Sequence, residues 1–145
     1  MKINNKGGFL INKINFLTGR IFNKLIKEYN NLDINHAQGK ILFIISKHNE
    51  LSINDLCKEL AVSKSTLTSM LDRLEAKGYI LKKIFTEDKR ITLISNTKKA
   101  DESVDIFSNV INKMNDKFYD GFEEEDIKLF EKYLEKIYIN LEKID

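Results

Sequence analysis

Residues 51–95 read LSINDLCKELAVSKSTLTSMLDRLEAKGYILKKIFTEDKRITLIS, and a change of period inside this stretch decides the fold. Ser52-Ile53-Asn54-Asp55 has the form of a helix start: Ser52 can accept from a free backbone N–H, and Asp55 can reach back three residues later in capping-box fashion. A short helix follows to about Leu60. Ala61-Val62-Ser63 is the next break, after which Ser63 caps a longer helix whose Leu67, Met70, Leu71 and Leu74 return at spacings of one, three and four. Gly78 is a natural stop for that helix. Beyond it the period drops to two, with Ile80, Lys82 and Ile84 alternating against Leu81, Lys83 and Phe85. After Thr86-Glu87-Asp88-Lys89 a second run, Arg90 to Ser95, closes a hairpin with a charged tip.

Outward from this stretch the chain is helical. A first helix is expected from about Phe9 to Tyr29, with Leu10, Ile14, Leu17, Ile21 and Leu25 on one stripe, Gly8 at its start and Asn30-Asn31 at its end. A second begins after Asn35, a good N-cap, and runs through Ile41, Leu42, Ile44 and Ile45 to about Lys47. Two long helices finish the chain. One spans Asn96 to about Tyr119, carrying Val104, Phe107, Ile111, Met114 and Phe118. The other spans Glu123 to about Lys143, carrying Ile127, Phe130, Leu134, Ile137 and Leu141. Both stripes step three, four, three, four, the spacing of packed helical pairs. Gly121 and the acidic run Glu123 to Asp126 mark the joint between them, with carboxylates where the helix dipole favours them. The expected fold is mainly α: a winged helix-turn-helix with a two-stranded β-hairpin wing and long N- and C-terminal dimerisation helices. Residues 1–145 are expected to form one domain, with 9–30 and 97–145 as dimerisation helices around a DNA-binding region at 35–95.

Composition narrows the function. The chain has 145 residues, 42% of them hydrophobic, which is enough to bury a core. It shows neither an 18-residue apolar run nor a signal-peptide pattern, so no membrane partner and a cytoplasmic location are expected. Its single cysteine, Cys57, leaves neither a disulfide nor a zinc cluster to build, and no metal or cofactor is expected. There is no Ser/His/Asp set, no Gly-rich phosphate loop and no metal-ligand spacing, so no catalytic residue is assigned and an enzyme is not expected. The formal charge of +2 hides an asymmetry. Met1 to Asn96 carries 16 Lys and Arg against 9 Asp and Glu, whereas Thr97 to Asp145 carries 8 against 13. A polyanion met by the first two-thirds of the chain and kept from the last third fits that balance.

The physics of 51–95 suits a duplex. A short helix braces a second one, whose exposed Ser63, Lys64, Ser65, Thr66, Thr68, Ser69 and Arg73 can face a major groove, while the hairpin tip reaches neighbouring phosphates or a minor groove. Lys64, Arg73 and Lys89 suit phosphates, and the hydroxyls of Ser65, Thr66, Thr68 and Ser69 suit base edges, with weak discrimination. Cys57 sits where a small residue is needed at the crossing of the two helices and reads as a buried hydrophobe. Two such units held one helical turn apart would multiply weak contacts, which favours a homodimer on a pseudo-palindromic double-stranded operator.

Leu56 to Thr68, the run Leu71-Asp72-Arg73-Leu74-Glu75-Ala76-Lys77-Gly78-Tyr79-Ile80, and Asp88-Lys89-Arg90 before Ile91-Thr92-Leu93 together resemble the multiple antibiotic resistance regulator (MarR) family of bacterial winged-helix repressors, nearly over the whole chain. The resemblance implies a transcriptional regulator that dimerises through its first and last helices, lays its recognition helix in the major groove and inserts a wing arginine in the minor groove. Arg90 stands at that wing position, and Asp88 matches the acidic partner that orients it. It also implies a dimeric repressor released by a small aromatic or phenolic effector, in a pocket walled by His36, Gln38, Gly39, Phe107 and Ile111, where Gly39 replaces a bulky side chain and would enlarge the pocket. Two departures stand out. Ser69 replaces a large or basic residue of many members, so the operator sequence is not inherited. The first helix has no cysteine, unlike the family's peroxide-sensing branch, which leaves no thiol switch to expect. The competing readings are a winged-helix protein-interaction module and a regulator with no small-molecule effector; Lys64, Arg73, Lys89 and Arg90 on the groove face argue against the first.

Overall fold

A computed structural model describes residues 4–29 and 32–145. The elements run α1 (Gly7–Ile26), α2 (His36–Ser46), β1 (Leu51–Ser52), α3 (Ile53–Leu60), α4 (Lys64–Ala76), β2 (Ile80–Ile84), β3 (Thr92–Asn96), α5 (Lys98–Phe118) and α6 (Glu124–Glu142). They fall into two compact units, one reaching to Ile111 and the other Asn112–Asp145, with the boundary inside α5.

In the first unit a contiguous core gathers Ile41, Leu42 and Ile45 of α2, Leu56 of α3, Leu67, Leu71 and Leu74 of α4, Ile80 of β2 and Ile94 of β3. Each such burial contributes about 1.5–3 kcal/mol. The expected stripes of α2 and α4 are therefore the ones that face the core. Local signals start these helices. Asn35 Oδ1 accepts from Gln38 N at 2.9 Å and Gln38 Oε1 accepts from Asn35 N at 3.1 Å, a reciprocal capping box. Ser52 Oγ accepts from Asp55 N at 3.1 Å, but the return bond from the Asp55 side chain is not made among the described residues. Gly78, at φ +84°, lets the chain leave α4 and enter β2.

The sheet has three strands in the order β1-β3-β2, all antiparallel, so the expected two-stranded wing gains a third member. Ile80 to Ile84 pairs with Asn96 to Thr92 as the alternation requires. Leu51 pairs with Ile94 and Ser52 with Leu93. A strand of two residues has no period to read, and it is held by pairing with β3 and by the burial of Leu51 in the core.

Three boundaries move. α1 begins at Gly7, two residues before Phe9, with Gly8 inside the helix, and ends at Ile26 in a tightened turn where Glu28 N and Tyr29 N donate to Leu25 O and Ile26 O. Its expected terminator, Asn30-Asn31, lies outside the described residues. Asn96 belongs to β3, and α5 starts only at Lys98 because Thr97 is held by its hydroxyl and its N–H on the Gly78 and Tyr79 carbonyls. The buried face of α1 also differs from the stripe read in the sequence: Phe22 and Ile26 are buried, whereas Leu10, Ile14, Leu17 and Ile21 remain exposed. Phe9 and Phe16, at 78% and 73% exposure, widen this uncovered apolar surface.

The second unit is a helical pair. Phe118 and Tyr119 pack on Phe130 with ring centroids 6.3 and 6.2 Å apart, and Tyr119 Oη donates to Glu131 Oε2 at 2.9 Å. No residue of α6 is buried, and Ile137 and Leu141 of its stripe are exposed. No described helix is long and apolar enough to cross a membrane.

Candidate nucleic-acid interface

The turn between α3 and α4 is made by Ala61, at φ +53°, with Val62 N donating to Cys57 O at 3.3 Å. A left-handed residue reverses the chain in the fewest steps, and glycine would adopt it with less strain than alanine. Ser63 then caps α4, its Oγ accepting from Thr66 N at 3.3 Å and donating to Thr66 Oγ1 at 2.9 Å, with Ser65 Oγ 3.3 Å away. Leu67, Leu71 and Leu74 turn inward, which leaves Ser63, Lys64, Ser65, Thr66, Ser69 and Arg73 exposed together on the outer side. Thr68 departs from that set: it is half-buried and its hydroxyl donates to Lys64 O at 2.8 Å, inside its own helix. Met70 is half-buried rather than buried, and so is Cys57, which packs against the core from its edge.

The hairpin tip is a closed turn. Phe85 N donates to Ile91 O at 2.9 Å and Ile91 N to Asp88 O at 3.0 Å. Within it Arg90 Nε and Nη2 donate to the two carboxylate oxygens of Asp88 at 3.0 and 2.9 Å, and Arg90 N donates to Oδ1 at 3.0 Å. The fork geometry matches planar guanidinium to planar carboxylate, so the arginine is held in one orientation although its side chain is 91% exposed. The same contact keeps the Asp88 carboxyl below its ordinary range, ionised and bound. Lys89 is exposed beside it.

Of the residues grouped by resemblance as a pocket, His36 and Gly39 meet Phe107. Phe107 is fully buried, with its ring 4.7 Å from Phe22, 5.7 Å from Phe43 and 6.2 Å from His36. A Cβ on Gly39 would lie 2.7 Å from Phe107 Cε2 and nearer still to Cδ2. The expectation that Gly39 enlarges a pocket is corrected: the space it vacates is filled by the Phe107 ring. Gln38 is buried as the reciprocal member of the α2 cap. His36 is half-buried against Phe22, 4.6 Å between centroids, and burial, with Lys40 nearby, pushes its pKa down. Ile111 is half-buried at the end of the unit.

Sequence reasoning missed a set of contacts around the base of the wing. Lys82 reaches Asp72 and lies 3.6 Å from Glu75, both on α4, and Lys83 lies 3.3 Å from Glu50. Tyr79 Oη donates to Asp33, and Lys99 Nζ sits 4.4 Å from the Tyr79 ring centroid. Tyr79 and Asp33 are 46 residues apart, and no local spacing announces such a pair. Lys82 and Asp72, 10 apart, both fall within the motif, yet they belong to different elements and different periods.

A short helix, a tight left-handed turn, an exposed polar helix and a three-stranded sheet ending in a charged tip define a winged-helix protein. The MarR family profile matches residues 34–92, which include both helices of this motif and most of the wing. The organic hydroperoxide resistance transcriptional regulator of Bacillus subtilis is 31% identical over 105 residues, covering 67% of this chain and 71% of that protein. The chain therefore belongs to the MarR family. The uncharacterized HTH-type transcriptional regulator YfiV of the same organism is 31% identical over 75 residues, and there the chain spans about half of the relative's length, 47%. Among solved structures, a mutant MarR from E. coli complexed with operator DNA superposes with a TM-score of 0.79 at 26% identity, covering 94% of this chain and 99% of that one. The S. aureus MepR–DNA complex matches in fold, with a TM-score of 0.85 at 22% identity over 95% of this chain and 99% of that one.

Proposed function

We infer that this protein is a sequence-specific DNA-binding transcriptional repressor that acts as a homodimer in the bacterial cytoplasm. The observation that carries this reading is the Asp88–Arg90 fork at the wing tip: a guanidinium almost fully exposed yet held by two hydrogen bonds to Asp88, whose carboxylate also accepts from the Arg90 backbone N–H. An exposed arginine with no target loses little by being mobile. One pre-oriented by a carboxylate loses less entropy when it enters a narrow minor groove, whose negative potential attracts it. Ser63, Ser65, Thr66 and Ser69 would offer hydroxyls to base edges, with Thr68 able to accept only while it stays bonded to Lys64 O. Lys64, Arg73 and Lys89 would meet phosphates. DNA binding itself gains support from the E. coli MarR structure, which is a complex with operator DNA.

Dimerisation is supported by the apolar faces of α1 and α6, which the chain itself leaves uncovered. Exposed apolar faces of this kind mark interaction surfaces, and a second copy both covers them and brings two recognition helices to half-sites about one helical turn apart. Release by a small aromatic or phenolic effector would act at His36, Gln38, Gly39, Phe107 and Ile111. Because Phe107 fills the space beside Gly39, such a ligand must displace that ring, and it shifts the protein only by its preference for the displaced state.

The test is a fluorescence-anisotropy titration of a pseudo-palindromic, A·T-rich duplex from beside the protein's own gene, run as a salt series. Wild type should bind with a steep loss of affinity as salt rises, from counterion release. Arg90→Ala should weaken binding by about 1–3 kcal/mol and leave the dimer intact by sedimentation. Binding unchanged by the substitution refutes the wing assignment. No binding by wild type, even at low salt, refutes the DNA-binding function.

A further inference from the structure

We propose that Lys82 is a positioning residue: by holding Asp72 and Glu75 of α4 it fixes the angle between the recognition helix and the wing, and it keeps those two carboxylates from opposing a phosphate backbone. This rests on the DNA-binding reading above and names a residue outside the groove face on which that reading depends.

The geometry begins with the period of the strand. In β2 alternate side chains point to opposite faces, so Ile80 and Lys82 share the face that meets α4, while Lys83 points the other way. Ile80 is buried and Lys82, two residues out, is the point where that face reaches the surface, its side chain 22% exposed. Asp72 and Glu75 are three residues apart and thus neighbours on one side of α4. Lys82 bonds to the first and lies 3.6 Å from the second, and the bond to Asp72 is the leading cause that pushes the lysine's pKa up. On the far face Lys83 lies 3.3 Å from Glu50, just before β1, so the base of the wing is tied from both sides, less firmly at the more exposed Lys83.

Two consequences follow for a duplex. Asp72 and Glu75 sit in the same turns as Arg73, and unpaired carboxylates there would add negative potential near the phosphates that Arg73 would meet. Lys82 offsets that charge, and Arg73 has no ion pair among the described residues. Lys82 pairs with Ile94 in the middle of β2, and Arg90 lies just beyond the last pair, Ile84 with Thr92, so a rotation of the hairpin about its tie at Lys82 carries Arg90 with it. Loss of the tie therefore misplaces the groove contact without touching it.

The experiment compares wild type, Lys82→Gln, Lys82→Arg and the swapped pair Lys82→Asp/Asp72→Lys. In a Cys57→Ala background, spin labels at Asn54→Cys on α3 and Glu87→Cys on the tip report the wing's distance distribution in the free protein. In unlabelled protein, anisotropy reports duplex affinity and thermal melting reports stability. Lys82→Gln should broaden the distances and lower duplex affinity about fivefold, the upper end of what a surface ion pair with one exposed partner is worth. Lys82→Arg and the swapped pair should restore narrow distances, and Lys82→Arg should restore affinity. Unchanged distances in Lys82→Gln overturn the proposal whatever the affinity does. Broadened distances with wild-type affinity overturn the link to binding. A wild type that ignores duplex refutes the DNA-binding reading and with it that link, and the distance measurement tells this failure apart from the first.

Discussion

Gly39→Ala sets two known effects against each other, and the packing around Phe107 decides between them. In a helix interior alanine is favoured over glycine by about 1 kcal/mol, so at an open site this substitution would stabilise the protein. Gly39 lies within α2 and its backbone is helical, so the gain applies. Opposing it, the new Cβ would stand 2.7 Å from Phe107 Cε2, roughly 1 Å inside the carbon–carbon optimum. Phe107 cannot swing aside freely, because it is fully buried among Phe22, Phe43 and His36. Overpacking of a closed core costs about 1–3 kcal/mol. The expected net effect is a destabilisation of about 0–2 kcal/mol from those two terms, read as the midpoint shift in urea at constant slope. Phe107→Leu should then cost less in the Gly39→Ala background than in wild type, with a coupling of about 0.5–3 kcal/mol. A Gly39→Ala protein stabilised by the full propensity gain, with additive double-mutant behaviour, would show that the ring does not occupy this space.

Ala61→Gly should stabilise the protein by up to about 1 kcal/mol, since Ala61 holds a left-handed φ of +53° that glycine adopts without the Cβ clash; thermal melting checks it, and a clear loss of stability would mean the turn is unstrained. The His36 pKa is depressed, first by burial and then by Lys40, so the folded state binds fewer protons than the unfolded one as pH falls below the ordinary value of 6.5. Stability should therefore be full above that pH and decline as pH falls from it toward the lowered folded value. His36→Phe should abolish that decline while keeping the ring contact with Phe22, and a slope that persists would assign it to another group.

Much of the fold was legible because its signals are local. Asn35, Ser52 and Ser63 each cap the helix their spacing predicted, and Gly78 takes the positive φ expected of a helix exit. The apolar stripes of α2 and α4 became core. The polar side of α4 and the Asp88-Lys89-Arg90 tip were legible too, as short runs whose residues fold onto their own neighbours. The stripe of α1 was read correctly as apolar, yet its periodicity does not say what covers it, and within the chain it is Phe22 and Ile26 that are buried.

By itself, then, the sequence determined the order of the helices and the hairpin, the caps at Asn35, Ser52 and Ser63 and the polar chemistry of the exposed side of α4, because capping, periodicity and turn formation act over three or four residues. Only the tertiary structure decided the third strand, the Lys82 tie to α4, the Tyr79–Asp33 bond and the filling of Gly39's space by Phe107. Those depend on surfaces brought together from distant parts of the chain, where contact is set by the shape and close packing of the whole core rather than by any local preference.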